Sequence, residues 1–185
     1  MRDDVVETVR SYVGLHLGSI GEDQLADLYS RSGLDKANAI VSPHVSTCGL
    51  FGLGIWFKMG VKHSLLTTPY KTGMAIAWLR EIAHDLNAIR KPSDGLPSPG
   101  SLLHYFTKGH NNNHVEFVLS QPQVIVQQWR AEHAGGGRAL AGVGSDTSDI
   151  LWSSGRPLQE WFDIDALLPE VTDDAYGPEE PPTAR

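Results

Sequence analysis

The residue pattern of the chain changes abruptly at Lys91–Gly100, and this change limits the possible folds more than any other feature. The stretch contains three prolines and two glycines, residues that interrupt both helices and strands. Upstream of it apolar residues recur at helical spacing, and downstream of it short runs of β-formers follow one another. The order predicts an α+β fold, in which helices from the N-terminal half pack on an antiparallel β-sheet from the C-terminal half.

Three segments upstream of the break predict helices. Apolar residues between Val5 and Val13 share one helical face, and this first helix is expected to end near Gly14 or Gly18. Glu22–Tyr29 predicts a second, short helix, and Thr72–Arg90 carries the most regular apolar stripe of the chain. These segments supply the helical layer of the predicted fold.

Four segments downstream of the break predict strands. They are rich in β-branched and aromatic residues: Leu102–Phe106, His114–Leu119, Val124–Arg130 and Trp161–Ile164. Ser120–Gln123 is expected to turn the second of them directly into the third as a hairpin. Gly135–Gly137 is expected to open a loop.

Length and charge limit the organisation of the chain and its partners. At 185 residues the chain fits one domain, predicted over residues 1–170, with an acidic, proline-containing and flexible tail over 171–185. The net charge is −7 and no basic patch is visible, which excludes nucleic acid and anionic membrane surfaces as expected partners. The sequence shows neither a signal peptide nor an apolar run of membrane-spanning length. It predicts a soluble protein made in the cytoplasm, whose final site of action, including export by a non-standard route, stays open.

The single cysteine of the chain, Cys48, is the first candidate for chemistry. The segment Ser46–Gly60 opens with capping residues and closes on a glycine, which favours a buried helix with Cys48 in its first turn, although a strand is an alternative. At a helix start the free amides and the helix dipole favour a thiolate, and the same amides suit a developing oxyanion. The alternative role for Cys48 is that of a small apolar core residue.

A thiol nucleophile needs a base, and His114 is the candidate. It opens a strand in which Val115, Phe117 and Leu119 alternate toward the core, so His114 and Glu116 share the other face. Such a position at the mouth of a strand suits a general base. As one histidine among eight, it is alternatively an ordinary surface residue.

These motifs, in this order, resemble the NlpC-type peptidoglycan cysteine peptidases and the CHAP amidases. The resemblance covers roughly residues 5–165 and depends on Cys48–Phe51 at a helix start, Pro99-Gly100 before a strand, and His114–Val118 at the start of another. It implies a papain-like fold and a cysteine-dependent hydrolase or acyl transferase, with Cys48 as nucleophile and His114 as base. The implied substrate is an amide bond of bacterial cell-wall peptides, with no cofactor.

The residue that orients the histidine is left open between two positions. The resemblance implies a polar residue on the strand after the histidine strand, before a glycine-rich turn, which selects Glu132. Counting residues across the predicted hairpin instead places Trp129 opposite His114 and Gln127 beside it. The two assignments require different strand registers.

Two other classes of function compete with this one. A metal-dependent hydrolase is suggested by four potential ligands within thirteen residues: His104, His110, His114 and Glu116. A non-catalytic binding module is suggested by tryptophans that would line a groove: Trp129, Trp152 and Trp161. Blocking the thiol separates a cysteine enzyme from both.

Overall fold

The computed structural model describes residues 1–18, 21–30, 47–68, 74–108, 113–138 and 142–168. The helices in these ranges are α1 (Arg2–Arg10), α2 (Glu22–Ser30), α3 (Thr47–Lys58), α4 (Ala75–Asp85) and α5 (Ile164–Leu167), with short 3-10 helices at Ser64–Leu66 and Pro92–Asp94. The strands are β1 (Ile89–Arg90), β2 (Leu102–Phe106), β3 (Asn113–Val118), β4 (Gln123–Ile125), β5 (Gln128–Arg138), β6 (Gly142–Asp149), β7 (Trp152–Ser153) and β8 (Arg156–Phe162). The predicted α+β class is confirmed, with the change from helix to strand at the predicted break.

All the paired strands run antiparallel in one eight-stranded sheet. Its order is β1-β8-β2-β3-β5-β4, while β6 pairs with β5 and β7 pairs with β8. The long strand β5 is shared, since β3 and β4 both pair with it and β6 follows it from Arg130 to Arg138. The centre of the sheet is therefore formed by β2, β3 and β5.

Helix α3 is the buried centre of the helical layer. Every residue from Cys48 to Trp56 is buried, which an amphipathic surface helix would not allow. Its glycines permit close packing, because a Cβ at Gly49 would lie 2.7 Å from the Ala75 Cβ, and one at Gly54 would lie 2.7 Å from the Leu28 Cγ. These glycines therefore let α4 and α2 approach α3 closely.

The two faces of the sheet are both apolar but pack against different partners. Leu102 and Phe117 face the helices and belong to the main core cluster. Leu103, Tyr105 and Val118 point the other way, into a second cluster built mostly from the sheet itself. Because side chains alternate along a strand, the polar residues of β3 at positions 114 and 116 belong to this second face.

Most helix predictions hold, with shorter bounds. Helix α2 covers the predicted segment, and α3 is a helix rather than the alternative strand. Helix α1 ends at Arg10 rather than at a glycine, and α4 spans Ala75–Asp85 within the predicted Thr72–Arg90. Real helix ends are set by local caps and packing as well as by apolar spacing.

The predicted hairpin and the predicted glycine loop are both wrong. Strand β3 pairs with β5, with Val118 opposite His133, and Ser120–Gln123 is not the hairpin turn. The turn lies after Ile125, where Val126 takes a positive φ of 55° and β4 folds back onto the start of β5. Gly135–Gly137 lies inside β5 instead of opening a loop.

Some expectations fall outside the described part of the chain. The predicted domain boundary at residue 170 and the tail over 171–185 lie beyond the last described residue, 168. His110 also lies outside the described residues. Within the described ranges, none of the helices is both long and apolar enough to span a bilayer.

Candidate active site

Cys48 occupies the second position of α3, as the capping pattern predicted. Its side chain is buried and belongs to the main core cluster. It makes a side-chain hydrogen bond with His114, so the two residues predicted as nucleophile and base are brought together. A cysteine that was only a core residue would not require such a partner.

His114 reaches this position from the second residue of β3. Its ring stacks near Tyr105 on the neighbouring strand, with the ring centroids 6.2 Å apart, and its Nε2 atom lies 3.0 Å from Glu116 Oε1. With Nε2 held by Glu116, Nδ1 is the nitrogen left for the thiol. The imidazole therefore has a carboxylate on one side and a thiol on the other.

Glu116 is the acidic partner of His114, and it is almost completely buried. His114 and Glu116 are two apart on one strand and therefore point to the same face. The second carboxylate oxygen, Oε2, lies 3.0 Å from His133 Nδ1. The carboxylate thus bridges two imidazoles.

The electrostatics favour an ion pair between His114 and Cys48. Burial alone would lower the pKa of His114, but hydrogen bonds to Cys48 and Glu116, together with their negative charges, raise it to about 9. Burial alone would raise the pKa of Glu116, but the hydrogen bonds from His114 and His133 hold it well below its usual range. At neutral pH the arrangement therefore keeps Glu116 ionised and favours the imidazolium form of His114.

Tyr29 of α2 responds to the same charge. Burial, and then the negative charge of Cys48, raise the pKa of the Tyr29 phenol. The hydroxyl is buried and has no hydrogen-bond partner among the described residues. Tyr29 therefore stays protonated close to the thiol.

Two consecutive glycines let β5 pack closely against Glu116 and the start of α3. A Cβ at Gly135 would lie 2.8 Å from Glu116 Cγ, on one face of the strand. A Cβ at Gly136 would lie 2.7 Å from the Thr47 carbonyl oxygen, on the other face. Side chains at these positions would displace either the carboxylate or the start of α3, so the glycine run serves the site and does not form a loop.

His133 lies on β5 beside Glu116 and is anchored on its far side. Its Nε2 atom is 2.9 Å from Ser148 Oγ of β6, and the residue is 2% exposed. A continuous series of contacts therefore runs from Cys48 through His114, Glu116 and His133 to Ser148.

The structure does not bring Glu132 or Gln127 to His114. Glu132 Oε2 lies 2.5 Å from Arg10 Nη2 of α1, on the helix side of the sheet, and Gln127 is exposed in the turn between β4 and β5. Glu132 and His133 are neighbours on one strand, so they point to opposite faces. The carboxylate that lies beside His114 is that of Glu116, whose other oxygen lies beside His133.

The three described residues of the competing metal site, His104, His114 and Glu116, are not assembled, and His110 lies outside the described residues. His104 lies opposite Val115 in the β2–β3 register, so it points away from the face of His114 and Glu116. Its Nδ1 atom lies 2.9 Å from Glu160 Oε1 instead. Among the described residues no group of three or more histidine, cysteine or acidic side chains is placed to hold a metal ion.

The three tryptophans of the alternative binding module differ in how exposed they are. Trp161 is buried, and Trp129 packs against it edge to face with ring centroids 6.4 Å apart. Trp152 is 59% exposed. Two of the three are therefore part of the packing of the second cluster.

Sequence reasoning did not select Glu116 and His133 as the groups that adjoin His114. The alternation along β3 already placed Glu116 on the face of His114, which was the available signal. No comparable local signal selects His133 over Glu132, because the choice depends on the β3–β5 register. No protein-family model, curated protein or solved structure matches this chain. Its function is therefore argued from the geometry of this site.

Proposed function

We propose that the chain is a papain-like cysteine hydrolase or acyl transferase that acts on amide bonds. The observation that carries this proposal is the hydrogen bond between Cys48, at the start of the buried helix α3, and His114, whose other side bonds a buried carboxylate. A thiol, a base and an orienting acid in this order form the constellation of nucleophilic acyl transfer.

In the first half-reaction the Cys48 thiolate attacks the carbonyl carbon of the amide. A carbon–sulfur bond forms, and the carbonyl electron pair moves onto oxygen to give a tetrahedral oxyanion. His114, as imidazolium, gives its proton to the departing nitrogen as the carbon–nitrogen bond breaks and the carbonyl re-forms. The product of this step is a thioester on Cys48.

In the second half-reaction His114 acts as a base. It removes a proton from water, whose oxygen attacks the thioester carbonyl, and the sulfur leaves as thiolate while the carboxylic acid is released. If an amine attacks in place of water, the same steps transfer the acyl group. Glu116 stabilises the imidazolium in each half-reaction and keeps its ring oriented.

The start of α3 supplies the groups for the developing oxyanion. Backbone N–H groups in the first turn of a helix have no acceptor inside the helix, and the helix dipole favours negative charge there. Cys48 is placed in that turn, so the oxyanion formed on its substrate lies within reach of these amides. This supports a mechanism without a metal ion as electrophile.

The substrate proposed is a peptide of the bacterial cell wall. This choice depends on the resemblance of Cys48–Phe51, Pro99-Gly100 and His114–Val118 to wall-hydrolysing cysteine enzymes. The net charge of −7 favours substrates that carry free amines over polyanions.

The test combines thiol chemistry with hydrolysis. Cys48 is the sole cysteine of the chain, so iodoacetamide labelling reports this thiol alone. We expect labelling of the folded protein near neutral pH and loss of hydrolysis of a wall-peptide panel after labelling. Intact-mass measurement of the unlabelled protein with substrate should show a thioester adduct. Hydrolysis that survives full labelling, or a thiol that reacts only after unfolding, would contradict the proposal.

A further inference from the structure

His133 is a second buried imidazole on the carboxylate that serves the candidate base. Its Nδ1 atom lies 3.0 Å from Glu116 Oε2, whereas His114 Nε2 lies 3.0 Å from Oε1. The side chain of Glu116 is 1% exposed, so both oxygens are removed from bulk water. The mechanism above uses the His114 side of this carboxylate and leaves the His133 side unexplained.

A buried carboxylate needs partners on both oxygens. Removing Oε2 from water is costly for an ionised group unless a donor or a positive charge lies close to it. A glutamate side chain also has three rotatable bonds, which leave the direction of its carboxylate to be set by its neighbours. The imidazole of His133 lies against Oε2, with its Nδ1 atom 3.0 Å away, and restricts this rotation by contact, although the pair does not have the geometry of a regular hydrogen bond.

The tautomer of His133 is set from its other side. When Nδ1, the nitrogen that faces Glu116, carries the hydrogen, Nε2 of the neutral ring is an acceptor. Ser148 Oγ, 2.9 Å from Nε2, then donates its hydroxyl hydrogen to that atom. Ser148 on β6 therefore favours the tautomer of His133 whose N–H lies next to the carboxylate.

We propose that His133 is a positioning residue that acts through Glu116, fixing the carboxylate in the orientation in which it accepts from His114. This inference rests on the proposed function, in which His114 serves Cys48. In the part of the chain that the structure describes, the charged and titratable groups found to act on the pair are Cys48 from α3, Tyr105 from β2 and His133 from β5.

The chain contains a matched control for this role. His104 is also a buried histidine that bonds a buried glutamate through Nδ1, at 2.9 Å from Glu160 Oε1. It points to the opposite face of β2 and β3 from His114 and Glu116. A purely structural role predicts that His133→Leu and His104→Leu behave alike, because each leaves one buried carboxylate short of one partner.

The test follows the titration of His114 by imidazole ¹⁵N NMR in wild type and both variants, beside the rate of Cys48 alkylation against pH. His133→Leu is expected to lower the pH at which His114 loses its proton by about one unit, since a misdirected carboxylate stabilises the imidazolium less. The Cys48 thiolate should then appear at higher pH. His104→Leu should leave both titrations unchanged.

Steady-state rates on a wall peptide add a second readout. We expect kcat to fall about tenfold to a hundredfold in His133→Leu with little change in KM, because positioning acts on the base and not on substrate contacts. His133→Asn is the rescue variant, since its amide nitrogen stands near the place of Nδ1 and donates to Glu116. It should recover most of the lost rate.

The outcomes of these experiments distinguish the positioning role of His133 from the proposed function. Equal His114 titrations in His133→Leu, His104→Leu and wild type would overturn the positioning role, whatever the hydrolytic activity. A wild-type protein without hydrolysis would refute the proposed function, while a His114 titration that moves only in His133→Leu would still establish the link through Glu116. If His133→Leu does not fold, Ser148→Ala carries the test, with a smaller shift in the same direction expected and no shift counting against the role.

Discussion

Two buried histidine–glutamate pairs lie on opposite faces of the sheet. On the helix side, His104 of β2 bonds Glu160 of β8, and Arg80 from α4 bonds the same carboxylate oxygen at 2.8 Å. On the other face, His114 and Glu116 of β3 form the second pair, which continues into His133. The two pairs use the same residue types in adjacent strands, yet their surroundings differ.

The two histidine–glutamate pairs differ in the group that lies beside them, Arg80 in one case and the Cys48 thiol in the other. The guanidinium of Arg80 stays charged at all accessible pH, and with His104 it offsets the burial of Glu160, so the pKa of that carboxyl is lowered. Such a network ties α4 to the sheet. The His114 pair instead has a thiol beside it, which can lose and regain a proton near neutral pH. The same histidine–glutamate contact is therefore structural in one place and suited to chemistry in the other.

The largest contrast is expected when the site residues and the helix-side histidine are removed in turn. Cys48→Ala and His114→Ala should each lower hydrolysis by at least about a thousandfold, because nucleophile and base act as one unit. His104→Ala should keep its rate within about threefold while costing about 1–3 kcal/mol of folding stability. Wall-peptide kinetics and thermal unfolding followed by circular dichroism measure the two effects. Full activity of Cys48→Ala would end the proposed mechanism.

A second contrast compares the two carboxylates. Above about pH 9 His114 loses its proton, so the departing amine is no longer protonated and kcat/KM should fall on the alkaline side. Glu116→Gln removes the negative charge that raises this pKa, so the alkaline limb should move to lower pH and kcat should drop about tenfold to a hundredfold. Glu160→Gln should leave the limb in place. Alkaline limbs that coincide in wild type and Glu116→Gln would exclude Glu116 as the partner that sets the base.

The lowered pKa of Glu160 also predicts how the stability of the fold responds to acid. Because the pKa of Glu160 is lowered in the folded state, its pairs stabilise the fold above the unfolded pKa of about 4.3. This stability is lost as the pH falls through the folded value. Glu160→Gln should therefore lower Tm at pH 7, and the difference in Tm between this variant and wild type should become smaller as the pH falls below about 4. A constant difference across that range, in thermal unfolding curves, would show that Glu160 contributes through packing rather than charge.

A smaller effect is expected from the glycines of β5. Gly135→Ala places a methyl group within 2.8 Å of Glu116 Cγ, so the carboxylate has to move and the rate should fall about threefold to tenfold. Gly95→Ala is the matched control, since Gly95 has open space around it and lies far along the chain from the site. Its positive φ of 131° carries a backbone cost of its own, which should appear in Tm and not in kcat.

Local patterns predicted the parts of the molecule that depend on neighbours in sequence. The capping residues and apolar run placed Cys48 at the start of a helix, and alternation along β3 placed Glu116 on the face of His114. Each of these depends on residues a few positions apart, where backbone geometry fixes which side chains share a face. The contact between Cys48 and His114 was expected from the order of the motifs, and the structure brings these two side chains together.

Strand register was not predictable in the same way. The sequence favoured Glu132, but β5 places Glu132 toward Arg10 and the adjacent His133 toward Glu116, so a one-residue choice decides the face. That register depends on a turn at Val126, where a β-branched residue takes a positive φ against its own preference. Turn propensities therefore favoured Ser120–Gln123, and that error placed Gln127 beside His114. Glu132 was selected by the family resemblance, which does not fix the strand register.

The smallest predicted effect concerns Glu132 itself, the neighbour of His133 on the helix side of β5. Its bond to Arg10 is partly exposed, with 32% of the Glu132 side chain and 48% of the Arg10 side chain accessible, so the pair is worth at most about 1 kcal/mol. Glu132→Gln should therefore leave kcat, the alkaline limb and the His114 titration unchanged and lower Tm slightly. Arg10→Gln should lower Tm somewhat more, because Arg10 Nη2 also donates to the Leu119 carbonyl at 3.3 Å. A double variant that is no less stable than Arg10→Gln would show that both changes remove one shared contact. A fall in kcat for Glu132→Gln without a matching fall for Arg10→Gln would instead connect this glutamate to the site. Since neighbouring residues of a strand point to opposite faces, the structure predicts that only the His133 side of this dipeptide affects catalysis.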